Sequence, residues 1–271
     1  MNGGRPAISD VADQWDDGSA YEKFMGRWSS ILAGEFVEWL GVGFGLHWLD
    51  VGCGTGALTG AIASRAEPAS VIGCDPAQPY IEFARETIGS EHVSFVTAGV
   101  DSLPARSGGY DSVTSSLALN FFPDPAGAVG KMRAASAIGG TVSSCVWDYS
   151  GRMDFLRIFW DAASRVDPNA IALDEGTRFP VCGREALVEL FRGGGLRDIR
   201  CDPIEIATDF ASFEEYWRPF RGGPGPAPSY VASLEEDLRA KLANELQRAL
   251  PVGADGSIRL TARAWAVRGS S

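Results

Sequence analysis

Histidine is nearly absent: the 271 residues include two, His47 and His92. Chemistry that needs a histidine pair or a histidine-rich metal cluster is thereby excluded. Cysteine is scarce too, and its five copies at positions 53, 74, 145, 182 and 201 are odd in number, widely spaced and free of any CxxC. This pattern argues against a cysteine zinc site or a disulfide scaffold and fits a reduced, cytoplasmic setting. Positive charge is in deficit, with Lys+Arg 24 against Asp+Glu 35 and a formal net charge of -11. Such a surface repels polyphosphates, so nucleic acid is not an expected partner. Long apolar runs are also missing. An uncharged stretch as long as any, Ala134 to Trp147, is broken by serines and by Gly139-Gly140, and no basic segment followed by an apolar core opens the chain. Neither a membrane span nor a secretory leader is expected.

The residues that are present show a change of rhythm. Residues 1–18 read as a loose polar arm. From Tyr21 to Leu40, Phe24, Trp28, Ile31, Leu32, Phe36 and Trp39 recur at three- and four-residue spacing, which predicts a helix with one apolar face. Five short apolar runs follow, Leu46 to Val51, Ser70 to Cys74, Val93 to Thr97, Tyr110 to Ser115 and Thr141 to Trp147. Helical stretches at Ala57 to Ala66, Pro79 to Ile88 and Pro125 to Ala137 separate them, the last capped by Asp124 ahead of Pro125. Strands alternating with helices predict an α/β fold: a doubly wound, mostly parallel sheet with helices on both faces.

Beyond Tyr149 the pattern predicts inserted helices at Asp154 to Val166 and Arg184 to Arg192, a strand at Leu196 to Ile206 and a short aromatic helix at Phe210 to Phe220. Residues Gly222 to Pro226 read as a breaker. Ser233 with Glu236 reads as a capping box before a helix that Pro251 ends, and Ile258 to Ala264 alternate as a closing strand. The expected organisation is one domain over 1–271: an N-terminal helical cap (1–40), a binding core (41–150), and a lobe with closing strands (151–271).

The most informative residues are Leu49-Asp50-Val51-Gly52-Cys53-Gly54-Thr55-Gly56, a buried strand running into a glycine turn and a helix start. Glycines there let backbone approach a ligand at a helix N-terminus, which any nucleotide-binding α/β protein could use. Gly52-x-Gly54-x-x-Ala57 even satisfies the dinucleotide fingerprint. Asp50 argues against a dinucleotide, because its carboxylate lies where a pyrophosphate would sit. It suits instead a ligand carrying an amine or a sulfonium. Asp75, at the end of the second strand, can take the two hydroxyls of a ribose.

At this point the chain resembles the class I S-adenosylmethionine-dependent methyltransferases. Residues 49–56 are similar to that family's first motif and Gly73-Cys74-Asp75-Pro76 to its ribose-binding acidic motif. Residues 98–104 resemble its GDAExLP segment, Tyr110 to Asp124 its fourth-strand block, and Gly139 to Val142 the turn before its fifth strand. The match spans roughly residues 20–150 and departs from the family at Gly99, where an aspartate is common. It implies a seven-stranded, Rossmann-like methyltransferase sheet with an antiparallel last strand, and S-adenosyl-L-methionine as cofactor. Carried over residue by residue, it implies that Asp50, Gly52 and Gly54 meet the methionyl portion and Asp75 the ribose. Pro76 and Tyr80 would flank the adenine and ribose. The Val100 backbone and Asp101 would read the adenine edge, and the Leu117 carbonyl would take the methionyl amine. Tyr21 and Arg27, on the first helix, would cover the cofactor and pair with its carboxylate.

Methyl transfer from a sulfonium needs alignment and exclusion of water more than covalent help from the protein, so histidine poverty is no obstacle. Both histidines precede strands, away from the carboxyl ends, and are expected to be structural. A small apolar or aromatic acceptor is expected at the ends of the fourth and fifth strands, among Asn120, Phe121, Phe122, Trp147, Asp148 and Tyr149. Phe155, Trp160, Arg178, Phe179, Tyr216, Trp217 and Phe220 are further candidates. Asp148, Tyr149 and Asn120 are the candidate bases for a hydroxyl acceptor. No metal is expected, and the chain is expected to be a monomer or homodimer. The alternatives are a non-catalytic binding or regulatory protein of the same fold and, more remotely, a nicotinamide-dependent oxidoreductase.

Overall fold

The computed structural model describes residues 26–222 and 225–271. The expected N-terminal arm, Tyr21, Phe24 and Gly223-Pro224 lie outside those residues. The chain begins with α1 (Arg27–Leu40), β1 (His47–Val51), α2 (Ala57–Arg65), β2 (Ser70–Asp75), α3 (Gln78–Thr87) and β3 (Val93–Thr97). Next come β4 (Tyr110–Ser116), α4 (Pro125–Ala135), β5 (Ser136–Trp147), α5 (Asp154–Val166), α6 (Glu175–Arg178) and α7 (Arg184–Gly193). The chain closes with β6 (Arg197–Ala207), α8 (Phe213–Trp217), α9 (Pro226–Ser233), α10 (Glu236–Ala249) and β7 (Thr261–Ser270).

These residues group into two compact units, Gly26–Trp147 with Val181–Ile204 and Ala264–Ser271, and Asp148–Pro180 with Glu205–Arg263. The expected lobe 151–271 is thus divided between them.

The first unit is built on a seven-stranded sheet of order β3-β2-β1-β4-β5-β7-β6. Strands β1 to β5 are parallel, and β7 runs antiparallel to β5 from Thr141↔Ser270 to Trp147↔Ala264. The chain winds outward through β2 and β3 and then returns to β4 beside β1. The carboxyl ends of β1 and β4 therefore form the switch point where such sheets bind ligands. Burial explains the short apolar strands: Trp48, Leu49, Asp50 and Val51 are all at or near zero exposure. In α1 the buried stripe is Trp28, Leu32, Phe36 and Leu40, with Ala33 and Val37 beside it. Ile31 falls outside it at 49% exposure, and Trp39 is half-buried, donating its indole N–H to Asp202 at 2.9 Å. Asp124 caps α4 as expected, accepting from Gly127 N–H at 2.9 Å.

The second unit is a helical lobe with an aromatic core. Along α5 the buried residues Phe155, Leu156, Phe159, Trp160, Ala162 and Ala163 form one face. Phe159 stacks on Phe220 with centroids 4.4 Å apart and planes 5° apart, and Phe210, Tyr216 and Tyr230 close around them. Three local expectations fail here. The Ser233–Glu236 capping box does not form, because Ser233 ends α9 and its hydroxyl donates to the Tyr230 carbonyl at 2.7 Å. Helix α9 starts at Pro226, the last residue of the expected breaker, and Pro226 and Pro228 sit in a first turn that needs no N–H from them. The closing strand also starts later, since Ile258 makes only isolated bridges to Phe210 and Val252.

Candidate functional site

The carboxyl end of β1 turns sharply through residues 52–56. Gly52 lies at φ +72°, and a Cβ there would stand 2.6 Å from the Ala118 Cβ, so only glycine allows the turn to meet the chain leaving β4. The Gly52 and Cys53 amides donate to the Cys74 carbonyl at 2.8 and 3.0 Å, which locks the turn to β2. Gly54, at φ +52°, presents its N–H to Asp75 Oδ2 at 3.1 Å. The other Asp75 oxygen accepts from Ala77 N–H at 2.8 Å. Burial raises the Asp75 carboxyl above its ordinary range, and these two N–H groups partly offset that.

Asp50 lies beneath the turn at zero exposure. Thr59, on the inward face of α2, donates its hydroxyl to Asp50 Oδ2 at 2.6 Å, and Oδ1 has no partner among the described residues. Loss of solvent lifts the Asp50 carboxyl to about 7, with Asp75 adding repulsion and Thr59 pulling back. The same burial, with Asp50 beside it, pushes the Cys53 thiol far up and that of Cys74 to about 12, which makes both poor nucleophiles.

The structure brings most of the remaining cofactor candidates to this end of the sheet. Tyr80 is half-buried, its ring edge 4.0 Å from where a Gly54 Cβ would lie. Pro76 is exposed and faces Gly99 across 3.9 Å on the same measure, so the absent aspartate leaves a close approach of the two loops. Val100 and Asp101 form a 3-10 turn after β3. Val100 is half-buried, whereas the exposed Asp101 carboxylate is held by Lys131. Leu117 follows β4 in the left-handed region at φ +58° and donates to the Cys145 carbonyl at 2.7 Å. Arg27 is exposed, with its guanidinium 4.5 Å over the Trp28 ring.

The acceptor candidates divide sharply. Phe155, Trp160, Tyr216, Trp217 and Phe220 lie in the lobe core at 0–6% exposure, packed within a network of ring contacts, and Trp147 is buried at 2%. Tyr149, Arg178 and Phe179 stay half-buried, Tyr149 and Phe179 with centroids 5.9 Å apart and the Arg178 guanidinium 5.2 Å over the Phe179 ring. Asp148 is engaged as an anchor: Arg263 Nε donates to its Oδ2 at 2.7 Å, and Gly151 N–H to its Oδ1 at 3.1 Å. Both Asp148 oxygens thus accept a hydrogen bond within the lobe. In the sheet unit, the Phe122 ring stands 3.5 Å from where a Gly52 Cβ would lie, Phe121 is 41% exposed and Asn120 is buried. His47 bonds Ser70 Oγ at 2.8 Å, and His92 sits on the surface beside Glu91. Among the described residues, no group of His, Cys, Asp and Glu could hold a metal ion, and no helix is long and apolar enough to cross a membrane.

A family model described as a methyltransferase domain matches residues 49–140, the stretch from the glycine turn to the start of β5. Residues 49–140 thus carry the likeness to a methyltransferase domain. Two curated relatives align with this domain. A malonyl-[acyl-carrier protein] O-methyltransferase of Acetivibrio thermocellus is 34% identical over 31% of this chain and 29% of its own length. A demethylmenaquinone methyltransferase of Thermus thermophilus is 37% identical over 34% of this chain and 43% of its own length. The chain thus matches less than half of either relative. Among solved structures, the Haemonchus contortus phosphoethanolamine N-methyltransferase 2 in complex with S-adenosyl-L-methionine has the same fold, with TM-score 0.59 at 16% identity over 99% of this chain and 61% of that one.

Two buried polar residues escaped sequence reasoning. Thr59 had a faint signal, a hydroxyl within the buried stripe Leu58, Thr59, Ala61 and Ile62. Glu175, in the lobe, had none. It is buried, accepts from the Trp160 indole N–H, and is raised to about 7 mainly by desolvation.

Proposed function

We propose that the chain binds S-adenosyl-L-methionine and transfers its methyl group to a small-molecule acceptor. The observation that carries this reading is Asp50: a buried carboxylate beneath a glycine turn, with one oxygen unpartnered. A pyrophosphate would be repelled there, whereas an ammonium or sulfonium would relieve the uncompensated charge. The residues present fit this cofactor. Asp75 retains lone pairs toward a ribose, and the turn at Gly52 and Gly54 leaves its backbone open to close approach. When bound, the cofactor supplies an activated methyl group on a sulfonium. The protein's part is to hold the cofactor's charge with Asp50, fix the sugar with Asp75, and keep water out through the packed 118–122 segment. The two relatives, a demethylmenaquinone methyltransferase and a malonyl-[acyl-carrier protein] O-methyltransferase, support acceptors other than nucleic acid.

Calorimetry on the purified chain tests the reading. S-adenosylmethionine and S-adenosylhomocysteine should both bind at micromolar to submicromolar levels and NADH should not. Absence of heat with either nucleoside at millimolar concentration would sink it. A non-catalytic role on the same fold draws support from the engagement of Asp148 by Arg263. It is separated by homocysteine release across an acceptor panel, which a binding protein would not give.

A further inference from the structure

The turn that follows β4 carries a side chain the cofactor reading does not use. Asn120 is 7% exposed, and among the described residues its amide Nδ2 finds no acceptor. A buried donor left without an acceptor costs about 1–3 kcal/mol, so native proteins seldom keep one that no ligand satisfies. Its position gives this donor a purpose. The residues on either side of Asn120 lie against the cofactor turn: Ala118 fills the space where a Gly52 Cβ would be, and the Phe122 ring lies 3.5 Å from the same point. Two residues before Ala118's neighbour Leu119 begins the 3-10 turn, Leu117 takes a left-handed backbone at φ +58°. A non-glycine residue in that region costs about 1–3 kcal/mol, and such strain clusters where a site must be held in one geometry. Two independent costs, a strained backbone and an orphan donor, thus fall within four residues at the switch point.

We propose that Asn120 is an acceptor-positioning residue whose carboxamide nitrogen donates to an oxygen of the methyl acceptor. This rests on the reading of the chain as a methyltransferase and narrows its substrate class. A carboxamide neither gains nor loses a proton near neutral pH, so Asn120 orients and does not serve as the base that sequence pattern allowed. A donor nitrogen selects acceptors that present a carbonyl, carboxylate or phenolate oxygen at or beside the nucleophile. Simple amines that lack such an oxygen gain nothing from it.

The test uses the full chain, saturating S-adenosylhomocysteine, 4-nitrophenolate as the oxygen-bearing probe, and the variants Asn120→Leu and Asn120→Asp. Both variants should bind S-adenosylhomocysteine within about twofold of the parent, and Asn120→Leu should melt no lower than the parent because it removes an unsatisfied polar group. The probe should bind the parent complex and weaken at least tenfold in both variants. Three results overturn the proposal: a tenfold loss of cofactor affinity, which places Asn120 in the cofactor site; a lower melting temperature for Asn120→Leu, which makes it structural; or probe binding that is absent from the parent or unchanged by substitution. Failure of the parent to bind S-adenosylhomocysteine instead defeats the methyltransferase reading itself.

Discussion

Asp50 in the sheet unit and Glu175 in the lobe are both buried carboxyls raised to about 7, chiefly by lost solvent, yet their surroundings differ. Asp50 has one hydroxyl donor, an unpartnered oxygen, and a turn of left-handed glycines above it. Glu175 has an indole donor on a helix whose aromatic rings pack against one another at van der Waals distances. A perturbed carboxyl therefore does not by itself mark a binding site. What separates the two is the state of the groups around them, incomplete in one unit and closed in the other.

The largest effect expected from this contrast is on the lobe's stability. Phe220→Ala removes the partner stacked on Phe159 and should cost about 3–5 kcal/mol in urea unfolding. Affinity for S-adenosylmethionine, measured where the variant remains folded, should change less than about threefold. A parallel collapse of affinity would break the division of labour between the units. Asp75→Ala should do the reverse. It removes both carboxylate oxygens that hold the Gly54 and Ala77 amides, and should weaken S-adenosylmethionine by roughly 100-fold in calorimetry, at two charge-assisted bonds' worth of free energy.

Proton linkage sharpens the comparison. Because the folded Glu175 carboxyl titrates near 7, above its unfolded value of 4.5, its contribution to stability is complete below 4.5 and is lost as pH rises through 7. Glu175→Gln keeps an acceptor for Trp160 and removes the titration, so its unfolding free energy should exceed that of the parent by about 3 kcal/mol at pH 8 and converge on it at acid pH. Asp50 titrates in the same range, but its ionised form is the one that suits a cation. Affinity for S-adenosylmethionine should therefore rise with pH, by up to about tenfold per unit below 7, and level off above it. Asp50→Asn should flatten that profile, and a slope that survives the substitution assigns the proton elsewhere. The smallest effect belongs to the surface: Lys131→Ala releases Asp101 from an exposed ion pair, and stability should shift by less than about 1 kcal/mol, with affinity within about twofold.

The same contrast explains what the sequence revealed. Strands β1 to β4 and the glycine turn were readable because burial on both faces forces short apolar runs, and close backbone approach forces glycine at 52 and 54. Thr59 and Asn120 were harder, since a single hydroxyl or amide in an apolar stripe carries no spacing rule. In the lobe, rings such as Trp160 and Phe220 look identical in sequence whether they line a pocket or fill a core, and only the structure shows them within a network of ring contacts. Pro226 misled for a related reason, because a proline's effect depends on whether it falls in the first turn of a helix or inside it.

The place of β7 between β5 and β6 has a consequence for synthesis. Strand β6 ends at Ala207 and β7 begins at Thr261, so the ribosome delivers the middle strand last. At about 5–20 residues per second the nascent sheet spends several seconds with β5 and β6 both presenting unpaired edges. Those edges are what a chaperone would need to shield, and what crowded expression would expose to aggregation.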